Sequence, residues 1–380
     1  MVKLGDVCTV VSGSTPKTNI PEYWDGDIKW ITPAELNEDS FYLFDSQRHI
    51  TEIGREKTGL CFMPAGTVIL SSRAPIGKTA IAGCELCCNQ GFKNLICSDA
   101  IFNEYLYYFL RSKTDYLNSL GRGATFKEIS KSIVENIEIR LPTLEEQKQV
   151  AKQFKHIYHL ISLRKQQLAK FDELVKSRFI ELFGTETEFD KWPCCRIGDV
   201  ADVCVGVVIK PTQYYTDKGI PAFRSLNIGE MRVKDSDWVY FTEEGHQKNQ
   251  KSVVHKNDVL VVRSGAPGTA CVATEKYDGY NAVDIIIAHP DNSKVNSIFL
   301  AAFTNMPHGM NQIRERTGGA AQQHFNVVGY KEMRLIMPSI ELQNQFAAFV
   351  EQVDKSKLTV QQSLDKLELL KNSLMQKYFG

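Results

Sequence analysis

The sequence lacks a net charge, a long hydrophobic run and a signal-peptide core. Its 380 residues contain 45 Lys and Arg against 45 Asp and Glu, so the formal charge is zero. Apolar runs stay far below the ~20 residues that span a bilayer, and Asp6 interrupts the N-terminal stretch before a leader could form. We therefore expect a cytoplasmic protein that makes no contact with a membrane. Any nucleic-acid binding must come from local patches rather than from bulk charge.

The ten cysteines lack the spacing of a structural zinc site. Cys84 and Cys87 form one C-x-x-C pair, but neither a second pair nor a matching His pair follows. His156 and His159 are three residues apart in a predicted helix, which leaves a metal pair open as an alternative although partner ligands are missing. We expect reduced thiols in a reducing compartment and no metal.

A phosphate-binding loop is also lacking, although SSRAPIGKT (71–79) comes close to one. Ser72 occupies the position of the first glycine, and Pro75 removes one backbone N–H from the loop. A second copy of this stretch, VLVVRSGAPGTA (259–270), has no lysine, so the common role of the two loops is not to hold a triphosphate. The sequence also has neither the Asn/Asp-Pro-Pro-Tyr/Phe nor the F-x-G-x-G signature of an adenine methyltransferase.

What the sequence does contain is an internal repeat with an offset of 196 residues over its constant parts. An offset that stays fixed from the proline to the closing Phe-Gly indicates segments of equal length. The segments that match at this offset are LPTLEEQKQVA (141–151) with MPSIELQNQFA (337–347), ELFG (181–184) with KYFG (377–380), and GRGATFKEIS (121–130) with TGGAAQQHFN (317–326). Further upstream the offset is slightly smaller, where LGDV (4–7) matches IGDV (197–200).

Each constant segment predicts one long helix. Thr143 and Ser339 are candidate N-caps, and Glu146 completes a capping box with Thr143. No proline or glycine follows until Gly184 in the first copy and Gly380 in the second. We therefore predict helices within 142–184 and 338–380.

Apolar residues recur along both helices in alternating steps of four and three, which is the pattern of a coiled-coil seam. A long helix lying on a globular core is the alternative, but such a helix usually carries a wider apolar stripe. The predicted seam residues are Val150, Phe154, Ile157, Ile161, Leu168, Phe171, Val175 and Leu182, and Phe346, Val350, Val353, Val360, Leu364, Leu367, Leu374 and Tyr378.

The variable parts of the repeat, 1–141 and 185–337, are predicted to be globes of mixed α/β structure. Their β-branched runs are separated by turn-rich stretches of Gly, Pro and Asn. We predict strands at 67–70, 133–140, 253–262 and 283–287, and a helix within 99–112.

This ordered set of features resembles the specificity (S) subunit of type I restriction–modification enzymes over essentially the whole chain. Gly-Asp-Val opens each globe, and NQGFK (89–93) is similar to the family's usual stretch, whereas the second copy, NAVDI (281–285), departs from it. The resemblance implies an α+β fold. Two mixed α/β target-recognition domains, 1–141 and 185–337, would be joined by spacer helices 142–184 and 338–380 that pair as an antiparallel coiled coil.

The resemblance also implies a non-catalytic subunit that reads a bipartite, asymmetric site on double-stranded DNA. It would dock two methyltransferase (M) subunits and the restriction (R) subunits. S-adenosylmethionine, ATP and Mg²⁺ would belong to those partners, with no cofactor in this chain. Two alternatives remain open at this stage. One is a coiled-coil adaptor or scaffold whose globes bind protein, and the other is a nuclease that cuts DNA without partners.

Two pairs of loops carry the side chains that we predict to contact DNA. Arg suits guanine and Gln suits adenine in the major groove, while Lys suits phosphate. The alternatives are ordinary solvated loops and, where Ala-Pro recurs, a tight turn. The predicted DNA-binding residues are Arg73, Lys78, Arg122, Thr125 and Lys127 in the first globe, and Arg263, Ser264, Arg314, Arg316, Gln322 and Gln323 in the second.

Overall fold

The chain folds into two compact units, and each long helix contributes one part to each unit. The computed structural model describes residues 1–73, 75–122, 127–317 and 324–380. The first unit comprises Met1–Lys165 with Gln362–Gly380, and the second comprises Gln166–Gln361.

The first unit is built on a five-stranded sheet with the order β2-β9-β6-β7-β4, in which only the β4–β7 pair is parallel. A three-stranded sheet, β5-β3-β8, and the pair β1-β10 complete its described strands. The strands are β1 Val2–Lys3, β2 Cys8–Ser12, β3 Trp24–Ile31, β4 Tyr42–Leu43, β5 Arg48–Ile50, β6 Val68–Ser71, β7 Thr79–Ala82, β8 Cys87–Cys88, β9 Phe92–Cys97 and β10 Glu138–Ile139. The helices are α1 Leu4–Val7, α2 Glu52–Thr58, α3 Asn103–Ser112, α4 Thr114–Leu120, α5 Lys131–Glu135 and the start of α6 Leu144–Phe183.

The second unit repeats this plan. Its main sheet has the order β12-β21-β18-β19, beside a second sheet, β13-β17-β14-β20, and the pairs β11-β22 and β15-β16. The strands are β11 Cys194–Arg196, β12 Ala201–Val205, β13 Tyr215–Thr216, β14 Ile220–Phe223, β15 Ile228–Gly229, β16 Arg232–Val233, β17 Val239–Phe241, β18 Val259–Val262, β19 Ala270–Val272, β20 Asn281–Ala282, β21 Ile285–Pro290 and β22 Arg334–Ile336. The helices are α7 Ile197–Val200, α8 Glu243–Lys248, α9 Ser297–Asn305, α10 Pro307–Thr317, α11 Val327–Lys331 and α12 Ile340–Phe379.

The internal repeat is visible in the register of the main sheets. Val68 of β6 lies opposite Leu95, and its counterpart Val259 of β18 lies opposite Ala288. All residues of β6 and of β18 are buried, as expected for strands covered on both faces. The helix that follows each sheet, α3 or α9, packs its apolar residues into the same core.

The start of each long helix follows the sequence prediction. The Thr143 Oγ1 accepts a hydrogen bond from the Glu146 N–H at 3.3 Å, and the Glu146 carboxylate accepts from the Thr143 N–H at 2.9 Å. This is the predicted capping box. In the second copy the Ser339 Oγ accepts from the Leu342 N–H at 3.4 Å. Gly184 follows the end of α6 with a φ of 85°, a conformation that glycine adopts freely.

The two long helices pair antiparallel, which confirms the predicted coiled coil. Every residue of the predicted seam is buried or half-buried. Within each unit, residues further along α6 contact residues earlier along α12, as expected for antiparallel helices. The contacts are Gln153–Tyr378 and Arg164–Ser363 in the first unit, and Asp172–Lys357 and Phe179–Phe346 in the second.

The helix ends differ from a simple seam. Phe179 and Phe183 of α6 are almost fully buried in the core of the second unit, where both rings contact Phe299. Phe379 of α12 packs on Tyr105 in the first unit in the same way. The apolar stripe therefore widens where a helix meets a globe, so the alternative of a helix lying on a core holds at these ends.

Two of the strand predictions need correction. The run 133–140 begins as helix α5 and is extended only at Glu138–Ile139. The reason is a local cap, because the Ser130 Oγ accepts from the Ile133 N–H at 3.2 Å and starts a helical turn. The run 253–262 is a strand only over its last part, Val259–Val262.

Among the described residues, no helix has both the length and the apolarity to cross a bilayer.

Candidate nucleic-acid interface

In the first unit, the structure brings together the two loops that the sequence singled out. The Ile129 N–H donates to the Ser72 carbonyl at 3.0 Å, next to Arg73. Arg122 and Glu128 exchange both backbone hydrogen bonds, each at 3.0 Å, and close the second loop. The segment after β6 and the segment before α5 therefore lie side by side.

The carboxylate of Glu128 binds two cationic side chains at this loop pair. Glu128 accepts from Arg73 at 3.0 Å and from the Lys93 ammonium at 3.2 Å. The Lys93 side chain is only 7% exposed, whereas the Arg73 side chain is 45% exposed. Lys127 is also exposed. Two cations thus contact one carboxylate, and Lys127 adds a third positive charge in the same segment, which leaves a local positive charge that suits a phosphate.

In the second unit, an equivalent backbone hydrogen bond joins the two corresponding loops. The Phe325 N–H donates to the Arg263 carbonyl at 2.9 Å, as Ile129 does to Ser72. Ser264 Oγ lies 2.7 Å from the His324 Nδ1. His324 occupies the repeat position of Glu128, so an imidazole replaces a carboxylate at the centre of the loop pair.

Arg263 lies beneath this second loop pair. Its guanidinium donates to the Asp284 carboxylate at 2.6 Å and to the Phe325 carbonyl at 3.2 Å, and it also contacts the His324 ring. The residue is 8% exposed. This geometry favours a role in holding the loop over direct contact with DNA.

Lys78 is not brought into the first loop pair. Its ammonium donates to the carbonyls of Pro33, at 3.2 Å, and Leu36, at 2.6 Å. The side chain therefore ties 33–36 to the start of β7. This geometry, like that of Arg263, favours a structural role.

The remaining predicted residues fall into two groups. Arg314 and Arg316 are exposed at the C-terminal end of α10, where Arg314 contacts the Asn311 side chain at 3.2 Å and Arg316 donates to the Gln312 carbonyl at 2.9 Å. The other group lies outside the residues that the structure describes and comprises Thr125, Gln322 and Gln323.

Sequence reasoning missed three of the residues that hold these loops, namely Lys93, Glu128 and Asp284. Glu128 was identifiable because it shares its repeat position with His324, which the selected second loop contains. Lys93 and Asp284 gave no such signal, since both reach their partners from a different strand or turn. Across the described ranges, no group of three or more His, Cys, Asp or Glu residues is arranged to hold a metal.

Comparisons with known proteins show the family to which the chain belongs. The family model described as the type I restriction modification DNA specificity domain matches residues 1–172 and 190–369. The MjaIX type I restriction enzyme specificity subunit of Methanocaldococcus jannaschii is 29% identical over 399 residues, which cover 99% of this chain and 91% of that protein. The EcoBI specificity subunit of Escherichia coli is 22% identical over 314 residues, which cover 74% of this chain and 66% of that protein.

Solved structures show the same fold. The type I restriction–modification S subunit from M. genitalium matches with a TM-score of 0.57 at 15% identity, covering 100% of this chain and 95% of that chain. A chain from a structure of type I restriction–modification complex assembly and conformational transition matches with a TM-score of 0.62 at 18% identity, covering 100% and 96%. The family match spans both repeats, and the relatives are specificity subunits, which are non-catalytic. The chain therefore belongs to the type I restriction–modification DNA specificity family and serves in DNA sequence recognition rather than catalysis.

Proposed function

We propose that the chain reads a bipartite, asymmetric site on double-stranded DNA, with one half-site for each repeat. The observation that carries this proposal is the loop pair that recurs in both units with different side chains. The first pair presents Arg73, Arg122 and Lys127, and the second presents Ser264 and His324. Two loop pairs with the same backbone arrangement but different hydrogen-bonding side chains favour the recognition of two different half-sites.

Within this proposal, Arg73, Arg122 and Lys127 contact the DNA in the first unit. Thr125 is a further candidate in the first unit, and the candidates in the second unit are Ser264, Arg314, Arg316, Gln322 and Gln323. Thr125, Gln322 and Gln323 retain their sequence-based assignments. Arg263 and Lys78 act as positioning residues, because their charged groups are engaged by protein groups and, unlike Arg73, neither residue is exposed. The division rests on exposure, since a side chain must reach solvent before it reaches a base edge or a phosphate.

We further propose that the long helices dock two methyltransferase subunits, to which restriction subunits add. The support comes from large apolar side chains that α6 and α12 leave exposed even though their seam is filled. These side chains are Leu144, Leu163, Leu174, Ile180, Leu358, Leu369 and Leu370. S-adenosylmethionine, ATP and Mg²⁺ belong to the partners in this proposal.

Exchanging one repeat tests the recognition proposal. A chain in which residues 1–141 come from another family member would be expressed with its methyltransferase subunit, and the methylated sites of the host genome would be mapped. Only one half of the methylated sequence should change, and an exchange of 185–337 should change only the other half. Changes in both halves after either exchange would rule out two separate readers.

A charge on the helix surface tests the docking proposal. Leu358→Glu should reduce co-purification of the methyltransferase subunit, because it places a charge on an exposed apolar position. Thr359→Glu is the matched control, since it adds the same charge at the adjacent exposed residue. Equal recovery of the methyltransferase subunit with both variants would argue against docking through Leu358.

A further inference from the structure

Three side chains of the second unit, well separated in sequence, form a continuous line. The Cys204 Sγ lies 3.6 Å from the Nε2 of His289, and the His289 Nδ1 lies 2.7 Å from an Asp258 carboxylate oxygen. A thiol, an imidazole and a carboxylate in this order are the groups that activate a cysteine nucleophile.

The fold holds each member of this line. Cys204 lies on β12 and His289 on its neighbour β21, where Cys204 is directly opposite Ile287 and His289 is the diagonal neighbour two residues further along. Asp258 immediately precedes β18 and is 3% exposed. Its second oxygen accepts from the His255 N–H at 2.6 Å, which fixes the carboxylate.

The ring of His289 carries a positive charge over the physiological range. The hydrogen bond that the ring donates to Asp258 and, second, its hydrogen bond with Cys204 raise the pKa of His289 to about 10, against the effect of burial. An imidazolium donates from both nitrogens, so one N–H points to the carboxylate and the other to the sulfur. A cation in contact with a cysteine sulfur favours the thiolate.

Cys204 is half-buried and lies at the wall of a surface cavity. Cys204 lines an open cavity of about 660 Å³, together with the charged groups of Asp202, Lys251 and His255. His255 is itself 3.6 Å from an Asp278 carboxylate oxygen. The Cys204 sulfur also lies 3.2 Å from the Lys251 carbonyl, which would hold the proton of a neutral thiol.

We propose that Cys204 and His289 form a thiolate–imidazolium pair that makes Cys204 a site of covalent modification by small disulfides and soft electrophiles. In the exchange with a disulfide R–S–S–R, the Cys204 thiolate attacks one sulfur and a new S–S bond forms. The old S–S bond breaks, and its electron pair leaves with R–S⁻. Cys204 is oxidised, the leaving sulfur is reduced, and R–S⁻ takes its proton from solvent while His289 stays charged. With iodoacetamide the thiolate attacks the iodine-bearing carbon, an S–C bond forms, the C–I bond breaks, and its electron pair leaves with iodide.

The full-length chain can be tested with iodoacetamide and with glutathione disulfide, using peptide mass spectrometry to follow each cysteine. Cys61 is the internal control because it is an exposed thiol. An ordinary thiol is largely protonated at about pH 6. Cys204 should therefore be modified at least about tenfold faster than Cys61 there, after allowance for the lower nucleophilicity of a stabilised thiolate.

His289→Gln should reduce the Cys204 rate to that of Cys61, because glutamine provides no positive charge. Asp258→Asn keeps an acceptor for the His255 N–H and should lower the rate in the same direction. Far-ultraviolet circular dichroism would establish that both variants are folded. In the unaltered chain, modification of Cys204 no faster than that of Cys61 at about pH 6 would overturn the proposal, whatever the variants do.

Discussion

The carboxamides of Gln147 and Gln343 occupy the same position in the two repeats and make the same hydrogen bond. The Gln147 oxygen accepts from the Phe102 N–H at 2.8 Å, and the Gln343 oxygen accepts from the Asn296 N–H at 2.9 Å. Both glutamines are fully buried. Each bond ties the first turn of a long helix to the start of the helix that follows the main sheet, so it sets where a globe is attached to its helix.

Removing this hydrogen bond should weaken the second unit. Gln343→Ala leaves the Asn296 N–H without its acceptor, which costs about 1–3 kcal/mol for a buried donor. Gln345→Ala is the control, because it changes the same residue type at an exposed position on the same helical turn. Urea denaturation followed by circular dichroism measures both free energies of unfolding. Equal midpoints for the two variants would show that the buried carboxamide contributes nothing.

The seam prediction concerns the first unit. Ile157 and Leu364 are both nearly buried between the helices. Ile157→Glu or Leu364→Glu should lower the free energy of unfolding by more than the about 2–5 kcal/mol that truncating a buried Leu or Ile costs, because a charge is buried as well. Leu369→Glu, on an α12 residue that is 71% exposed, provides the control. If all three variants unfold at the same urea concentration, the seam does not stabilise this unit.

The sequence predicted the long helices well because their signals are local and repeated. A capping box at Thr143, a glycine at 184 and a steady apolar period each depend on residues within a few turns. The strand predicted at 133–140 was wrong because β-branched residues were weighed without Ser130, whose side chain caps the turn that follows. A single capping hydroxyl thus decided the local structure.

The candidate interface was predictable only in part. The repeat identified both loops of each pair, since Ala-Pro recurs in the first loop, at 74–75 and 266–267, and a glycine recurs in the second, at 123 and 319. It gave no means of separating Arg73, which is half-exposed, from Arg263, which is held by Asp284. That difference depends on a residue 21 positions away in sequence, which only the packing of the second unit brings to the guanidinium.

His289 should make the second unit less stable at high pH. Its folded-state pKa of about 10 lies above its ordinary value of 6.5, so the protonated ring favours the folded state. The resulting stabilisation is complete below about pH 6.5 and is lost as the pH rises through about 10. His289→Gln should remove this contribution. The difference in free energy of unfolding between the two proteins, from urea titrations at several pH values, should shrink towards alkaline pH. A constant difference would contradict the assignment.

The last prediction separates the two kinds of side chain in the first loop pair. Arg122 and Lys127 are both exposed at the ends of the same loop. If Arg122 reads a guanine, Arg122→Ala should cost about 1–3 kcal/mol and relax one position of one half-site. Lys127→Ala, if Lys127 meets only phosphate, should weaken binding to all sequences alike and reduce the salt slope by about one unit.

The measurement is the DNA affinity of the complex with methyltransferase subunits, across single-base variants of the target and several salt concentrations. Each variant is the control for the other, since the two lose one positive charge each from the same loop. A base contact changes the preference profile in one half-site only, whereas a phosphate contact changes the salt slope and leaves the profile intact. An unchanged profile and an unchanged slope in Arg122→Ala would place this loop away from the DNA, because a charged side chain at the interface cannot be removed without altering one of them.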